Sequence, residues 1–155
     1  MRQLLRQSGI LALLLLSHLI SSGQQKRDSR QEEKNKKFVT NFFYTLYNDK
    51  DLVKAMSMML SDFINHHPHG GSGAEGTLKA MQEHLFGKYP GFSVSIKRIA
   101  AEGDLVWIQC FTKNDVSDHG KMSMDIWRVQ DGRIAEHWDI IQDVPADIDP
   151  SFMFN

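Results

Sequence analysis

At Pro90 the apolar periodicity of this chain changes from helical to alternating, and that change restricts the fold class more than any motif does. Before it, Phe38, Val39, Phe42, Phe43, Leu46 and Tyr47 fall on one helical stripe. Asp51 is placed to cap a second helix, with a stripe through Leu52, Ala55, Met56, Met59, Leu60 and Phe63. Its methionines read as core filling rather than as ligands. After the flexible turn "GGSGAEG", Leu78, Met81 and Leu85 mark a third helix, ended by Gly87 and Pro90. Beyond Pro90, "FSVSIKRIAA", "LVWIQCF", "KMSMDIWRV" and "RIAEHWDIIQ" read as four strands rich in β-formers. Three helices followed by four antiparallel strands make an α+β domain. Helices packed on a curved sheet leave a cavity between the layers. At 155 residues there is room for one such domain with a single core.

The chain opens with "MRQLLRQSG", which carries Arg2 and Arg6 and no acid, then an apolar run from Ile10 to Ile20, then small residues at Ser21 and Gly23. That order predicts a secretory signal peptide over residues 1–23, cleaved near Gly23. The apolar run is shorter than the ~20 residues that a membrane span needs, so no membrane association is expected after cleavage. The destination would be periplasmic or secreted. Residues 24–37 form a polar lead-in of mixed charge, the domain proper covers 38–145, and 146–155 is a tail whose Phe152, Met153 and Phe154 can fold back as an apolar plug. Cys110 is the single cysteine, so no internal disulfide forms, and it reads as a small buried hydrophobe. The formal charge of −1 leaves no electrostatic footprint for nucleic acid. Phosphate-binding glycine loops, nucleophile elbows and paired-cysteine metal motifs are absent from the sequence.

Two stretches carry candidate chemistry. The first is "FINHHPHGGSG", with His66, His67 and His69 in a glycine-rich loop. The second is the hairpin through Asp131-Gly132. Residues two apart on a strand share a face, so His137 and Asp139 point the same way. A two-residue loop would set Asp125 opposite Trp138, whereas a three-residue loop, Gln130 to Gly132, sets Asp125 opposite His137. The second register separates apolar from polar side chains better and is the expected one. It gathers Ser123, Asp125, Trp127, His137 and Asp139 on one face, and Met122, Met124, Ile126, Ile134, Trp138 and Ile140 on the other. Burial of the first face would raise the carboxylate pKa values while pairing with His137 opposed the shift, which suits a general base near neutral pH. A solvated or structurally paired hairpin face is the alternative.

These segments, "FINHHPHGG", "KRIAAEGDLVWIQCF" and "MDIWRVQDGRIAEHWDIIQDVP", resemble the SnoaL-like branch of the nuclear transport factor 2-like superfamily, over residues 38–145. The resemblance implies a conical α+β barrel, with N-terminal helices on a strongly curved antiparallel sheet enclosing a deep pocket. It implies that His66, in the motif Phe63-Ile64-Asn65-His66-x-Pro68, looks into the pocket with His137, Asp139 and Asp125. In related polyketide cyclases a pocket aspartate is the general acid/base for an aldol closure, without metal or cofactor. Asp139 is the first candidate for that role and Asp125 the second.

The leading expectation is therefore a cofactor-independent acid/base enzyme, of the aldol cyclase or isomerase type, acting on a small apolar carbonyl compound. Asp139 would remove a proton beside the carbonyl, His66 would hydrogen-bond the enolate oxygen, and His137 and Asp125 would tune Asp139. This requires His66 and Asp139 to meet inside one pocket. Phe43, Phe63 and Trp127 are candidate ligand contacts. One alternative is a non-catalytic module that binds a small ligand or dimerises, and a homodimer is expected in either case. Another is a metal enzyme built on His66 and His69 with His137 or Asp139, which the loop spacing supports poorly, so no metal is expected.

Overall fold

The computed structural model describes residues 27–155, so the signal-peptide reading of residues 1–23 lies outside the described residues. Helix α1 spans Ser29–Tyr47, and most of the polar lead-in belongs to it. The Asp28 carboxylate caps it by accepting from the amides of Arg30 and Gln31, each at 3.1 Å. Its stripe of Val39, Phe42, Phe43 and Leu46 is fully buried, as the periodicity predicts. Glu32 and Asn35 are buried as well, because the turn at Gly103 needs partners there. The Glu32 carboxylate accepts from the Gly103 amide at 3.0 Å and from the Arg27 guanidinium, and the Asn35 amide donates to the Gly103 carbonyl. Among the described residues no helix is long and apolar enough to cross a membrane.

The second helix, α2, is shorter than expected. Asp51 caps it, but it spans only Leu52–Ser57, and Met59–Asn65 forms strand β1. The apparent helical stripe through Met59 and Phe63 has a different cause. β1 is irregular: Met59 lies opposite Ile134 and Ile64 opposite Glu136, so five steps in β1 match two in its neighbour. The extra residues bulge outward and let both Met59 and Phe63 turn into the core. Helix α3 spans Gly73–Met81 and continues into a wider π turn, Gln82–Phe86.

Strands β2 (Ser93–Glu102), β3 (Leu105–Lys113), β4 (Lys121–Gln130) and β5 (Arg133–Asp143) follow. The sheet therefore has five strands rather than four, in the order β1-β5-β4-β3-β2, with β1 parallel to β5 and the other pairs antiparallel. It is an open mixed sheet with β1 and β2 at its edges, not the strongly curled conical barrel that the resemblance implies; the helices close the cavity instead.

The β4–β5 hairpin corrects the expected register. Its loop is Asp131-Gly132, with φ of 51° and 72° and Gln130 opposite Arg133, the geometry that the right-handed twist of a two-residue hairpin favours. A bulge at Ala135 follows, between the Val129–Ile134 and Arg128–Glu136 pairs. Beyond it, Trp127 faces His137 and Asp125 faces Asp139. The polar face is the expected one, because the bulge adds the residue that a longer loop would have added. Ile134 moves across: it lies inside, fully buried, not with Trp138 and Ile140 on the outer face.

The tail ends in a 3-10 turn, Pro150–Met153, and Phe154 packs on Phe111 of the outer sheet face. His119 holds the segment through contacts from its Nε2 to the carbonyls of Pro145 and Ile148, both at 2.9 Å.

Candidate functional site

Between α1, α3 and the inner sheet face lies a cavity of about 440 Å³. Phe42, Phe43, Leu46, Met59, Phe63 and Phe92 give it an apolar interior, so the expected wall residues Phe43, Phe63 and Trp127 all line it. The carboxylates come from the hairpin and the histidine that meets Asp139 from the segment just after β1, while β3 adds Cys110 and Thr112 and the helices add Tyr47 and Thr77.

Trp127 stacks on the His137 ring, centroids 3.9 Å apart, and meets Phe42 edge-on at 5.1 Å. That packing fixes the imidazole plane. Its two nitrogens have defined partners. The Asn65 side-chain amide donates to the Gly70 carbonyl at 3.0 Å, while Asn65 Oδ1 accepts from the His67 backbone amide at 3.0 Å. Oδ1 therefore faces His137 Nδ1 at 3.2 Å, and that nitrogen must donate. His137 Nε2 lies 3.1 Å from Asp125 Oδ1, and both residues are buried. A hydrogen bond between them requires one proton in the gap. The pair is then either imidazolium with carboxylate or imidazole with carboxylic acid, and either way it carries no net charge. The Ser123 hydroxyl donates to Asp125 Oδ2 at 2.8 Å, and the Cys110 thiol approaches both. Burial pushes that thiol up to about 12, with the Asp125 charge acting in the same direction, so Cys110 is no nucleophile.

Asp139 is the less enclosed carboxylate, its side chain 11% exposed at the cavity wall. Both its oxygens accept from His67 Nδ1, at 2.9 and 3.0 Å. The His67 side chain is 37% exposed and stands between the cavity and its mouth.

His66 is elsewhere. Its ring stacks flat on Trp138, 4.5 Å between centroids and 4° between planes, and its Nε2 meets Glu136 at 3.1 Å. Trp138 and Glu136 alternate with His137 and Asp139 along β5 and face the other side of the sheet. The expectation that His66 meets Asp139 in the cavity is thus corrected: the backbone of His66 bonds the His137 carbonyl at 2.8 Å as a last rung of β1, which turns its side chain outward and the next residue inward. His69 and His84 are exposed at the rim.

Tyr47, read from the sequence only as a core position, also lines the cavity. Burial pushes its phenol well above the ordinary range, and Asp125, Cys110 and Asp139 push it further, so it keeps its proton. Its helical spacing marks it as inward-facing; nothing local marks it as a donor. His67 was equally hidden, because three neighbouring histidines offer no periodicity to choose among.

Among the described residues, Asp125, His137 and Asp139 are the one group whose ligand atoms, within 4.8 Å of one another, have the spacing for a metal ion. An ion there would have to displace the contacts that already occupy both nitrogens of His137 and both oxygens of Asp125. The ligand set suggested by the loop, His66 with His69, is not assembled.

Residues 39–137 match the family described as SnoaL-like domain. No curated protein matches the sequence. Among solved structures, the chain is similar to a proposed ketosteroid isomerase from Kribbella flavida, at 18% identity and a TM-score of 0.62, covering 76% of this chain and 84% of that one. It is similar to IdmH, a proposed polyketide cyclase from Streptomyces antibioticus, at 23% identity and a TM-score of 0.59, over 69% and 91%. It is also similar to an epoxide hydrolase from M. tuberculosis, at 21% identity and a TM-score of 0.57, over 72% and 85%. Identities this low carry the fold alone.

Proposed function

The chain belongs to the SnoaL-like domain family, and we propose that its cavity performs cofactor-independent acid/base chemistry on a carbon beside a carbonyl group. The observation that carries this reading is the placement of Asp139: a carboxylate at the wall of an apolar cavity, with both oxygens on one imidazole N–H and little solvent around it. In the reaction, an Asp139 oxygen takes a proton from the substrate carbon. The C–H electron pair becomes the enolate double bond, and the charge moves to the carbonyl oxygen. Because His66 lies on the outer face, the version of this reading that required His66 beside Asp139 fails, and the Tyr47 phenol supplies the hydrogen bond to that oxygen in its place. His67 Nδ1–H holds the Asp139 carboxylate in orientation. The enolate then attacks a second carbonyl of the same molecule or is reprotonated at another carbon. The leader read at residues 1–23 would place this reaction outside the cytoplasm.

The test is hydrogen isotope exchange at the carbon next to the carbonyl of β-tetralone in deuterated buffer. The protein should accelerate exchange, and Asp139→Asn should remove the acceleration while circular dichroism and thermal melting stay unchanged. Exchange retained by that variant would end the assignment.

A second reading, a ligand carrier without turnover, is favoured by one observation. Asp125, His137, Ser123 and Asn65 satisfy one another, so this network can serve as a wall. It predicts binding of the ketone with no accelerated exchange.

A further inference from the structure

We infer that the cavity excludes anionic ligands: a neutral carbonyl compound enters, and the carboxylate of the same skeleton is rejected. This rests on the proposed function for the site and adds the charge class of its substrate.

On β4 and β5, Asp125 and His137 share one proton and cancel, as their hydrogen bonds require. The imidazole cannot turn to meet another anion, because Trp127 stacks on its face and Asn65 and Asp125 hold both nitrogens. Asp139 remains as the interior carboxylate, and its partner His67 donates one N–H to it without supplying a fixed charge. From β3 and α1 the cavity receives a thiol and a phenol, each held in its protonated form by burial. At the mouth are His69, His84 and Lys121, and the Lys121 ammonium is already bound by Asp143 on the next strand.

An anionic head group reaching Asp139 would therefore meet a like charge in a medium of low dielectric, and among the described residues no free cation lines the cavity to answer it. An uncharged oxygen faces the opposite situation, since the Tyr47 O–H can donate to it at no electrostatic cost. Size is consistent with a bicyclic skeleton: at the ~30 Å³ that a water occupies in the liquid, the cavity holds on the order of fifteen heavy atoms.

Three probes of one skeleton test this: β-tetralone, tetralin-2-carboxylate and the corresponding 2-aminotetralin, titrated calorimetrically into the purified protein at pH 8, above the ordinary imidazole range. The ketone should bind at least tenfold more tightly than the carboxylate. Asp139→Asn, which removes the charge at nearly constant shape, should close most of that gap by strengthening carboxylate binding. Carboxylate binding equal to or tighter than that of the ketone would overturn the inference. So would a gap that Asp139→Asn leaves unchanged, an amine excluded as strongly as the carboxylate, or no ketone binding up to its solubility limit. Binding and exchange are separate readouts, so a protein that selects the ketone but does not exchange its protons would refute the acid/base function and leave the charge selection standing.

Discussion

His66 and His67 are adjacent in the chain and lie on opposite sides of the sheet: His66 stacks on Trp138 outside, and His67 Nδ1 binds both oxygens of Asp139 inside. The pair therefore separates a surface role from a site role with a single residue step. His67→Ala should lower the rate of ketone proton exchange by about ten- to a hundredfold, at or below the low end of what a group that itself transfers the proton contributes, because His67 only orients Asp139. His66→Ala should leave exchange within twofold. Exchange measured side by side on the two variants checks this, and equal losses would mean that the two side chains are not divided in this way.

Tyr47 gives a sharper expectation. Tyr47→Phe removes one oxygen from a residue whose ring is packed against Phe43 at 4.8 Å, so the core keeps its shape. If the phenol stabilises the enolate oxygen, exchange should fall by about a hundred- to a thousandfold, the cost typical of losing an oxyanion donor. The KM for the ketone should move little and the melting temperature should hold. A variant that exchanges at the parent rate would remove Tyr47 from the mechanism.

Why the sequence pointed to Asp139 but not to Tyr47 or His67 follows from what each relies on. Strand alternation has a period of two, so once β5 is recognised, His137 and Asp139 must share a face. For β4 the expected register is wrong but the face is right, since a two-residue loop plus the Ala135 bulge shifts the parity as a three-residue loop would. β1 reads as helical because its bulge gives Met59 and Phe63 the spacing of a helical stripe. The inward His66 comes from the motif of the resemblance, and only pairing with β5, a long-range contact, decides the side on which a residue emerges after an irregular strand. The carboxylate of Glu32 illustrates the same limit: it sits among exposed charges in the sequence, and its partner Gly103 lies 71 residues away.

The outer sheet face supplies an interface test. Ile140 is 75% exposed and lies opposite Met124, beside the Trp138–Ile126 pair, so apolar side chains continue across two strands. The homodimer expected from the sequence would bury this face. Sedimentation should then find a dimer for the parent chain and a monomer for Ile140→Lys, with exchange activity per chain nearly unchanged because the cavity opens on the other side. A parent chain that sediments as a monomer would end the expectation, and a dimer that survives the lysine would place the contact elsewhere.

Hydrogen bonds from Arg27 first, and from the Gly103 amide second, hold the Glu32 carboxyl below its ordinary value. A carboxyl with a folded-state pKa that is depressed binds its proton more readily when the chain is unfolded. Its contribution to stability is therefore complete above the unfolded value, about 4.3 for glutamate, and is lost as pH falls below that toward the folded value. Glu32→Gln should melt at a lower temperature than the parent at pH 7, since it keeps the shape but loses the charge that Arg27 and Gly103 answer. The difference should shrink between pH 5 and pH 3, because the parent then loses what the variant already lacks. Glu136, Asp118 and Asp149 are also depressed and titrate in the same range, but they are present in both proteins and cancel in the difference. Melting curves of the two proteins at intervals across that range decide the matter: a gap that stays constant down to pH 3 would show that the bridge from α1 to the β2–β3 turn owes its strength to packing rather than to the Glu32 charge.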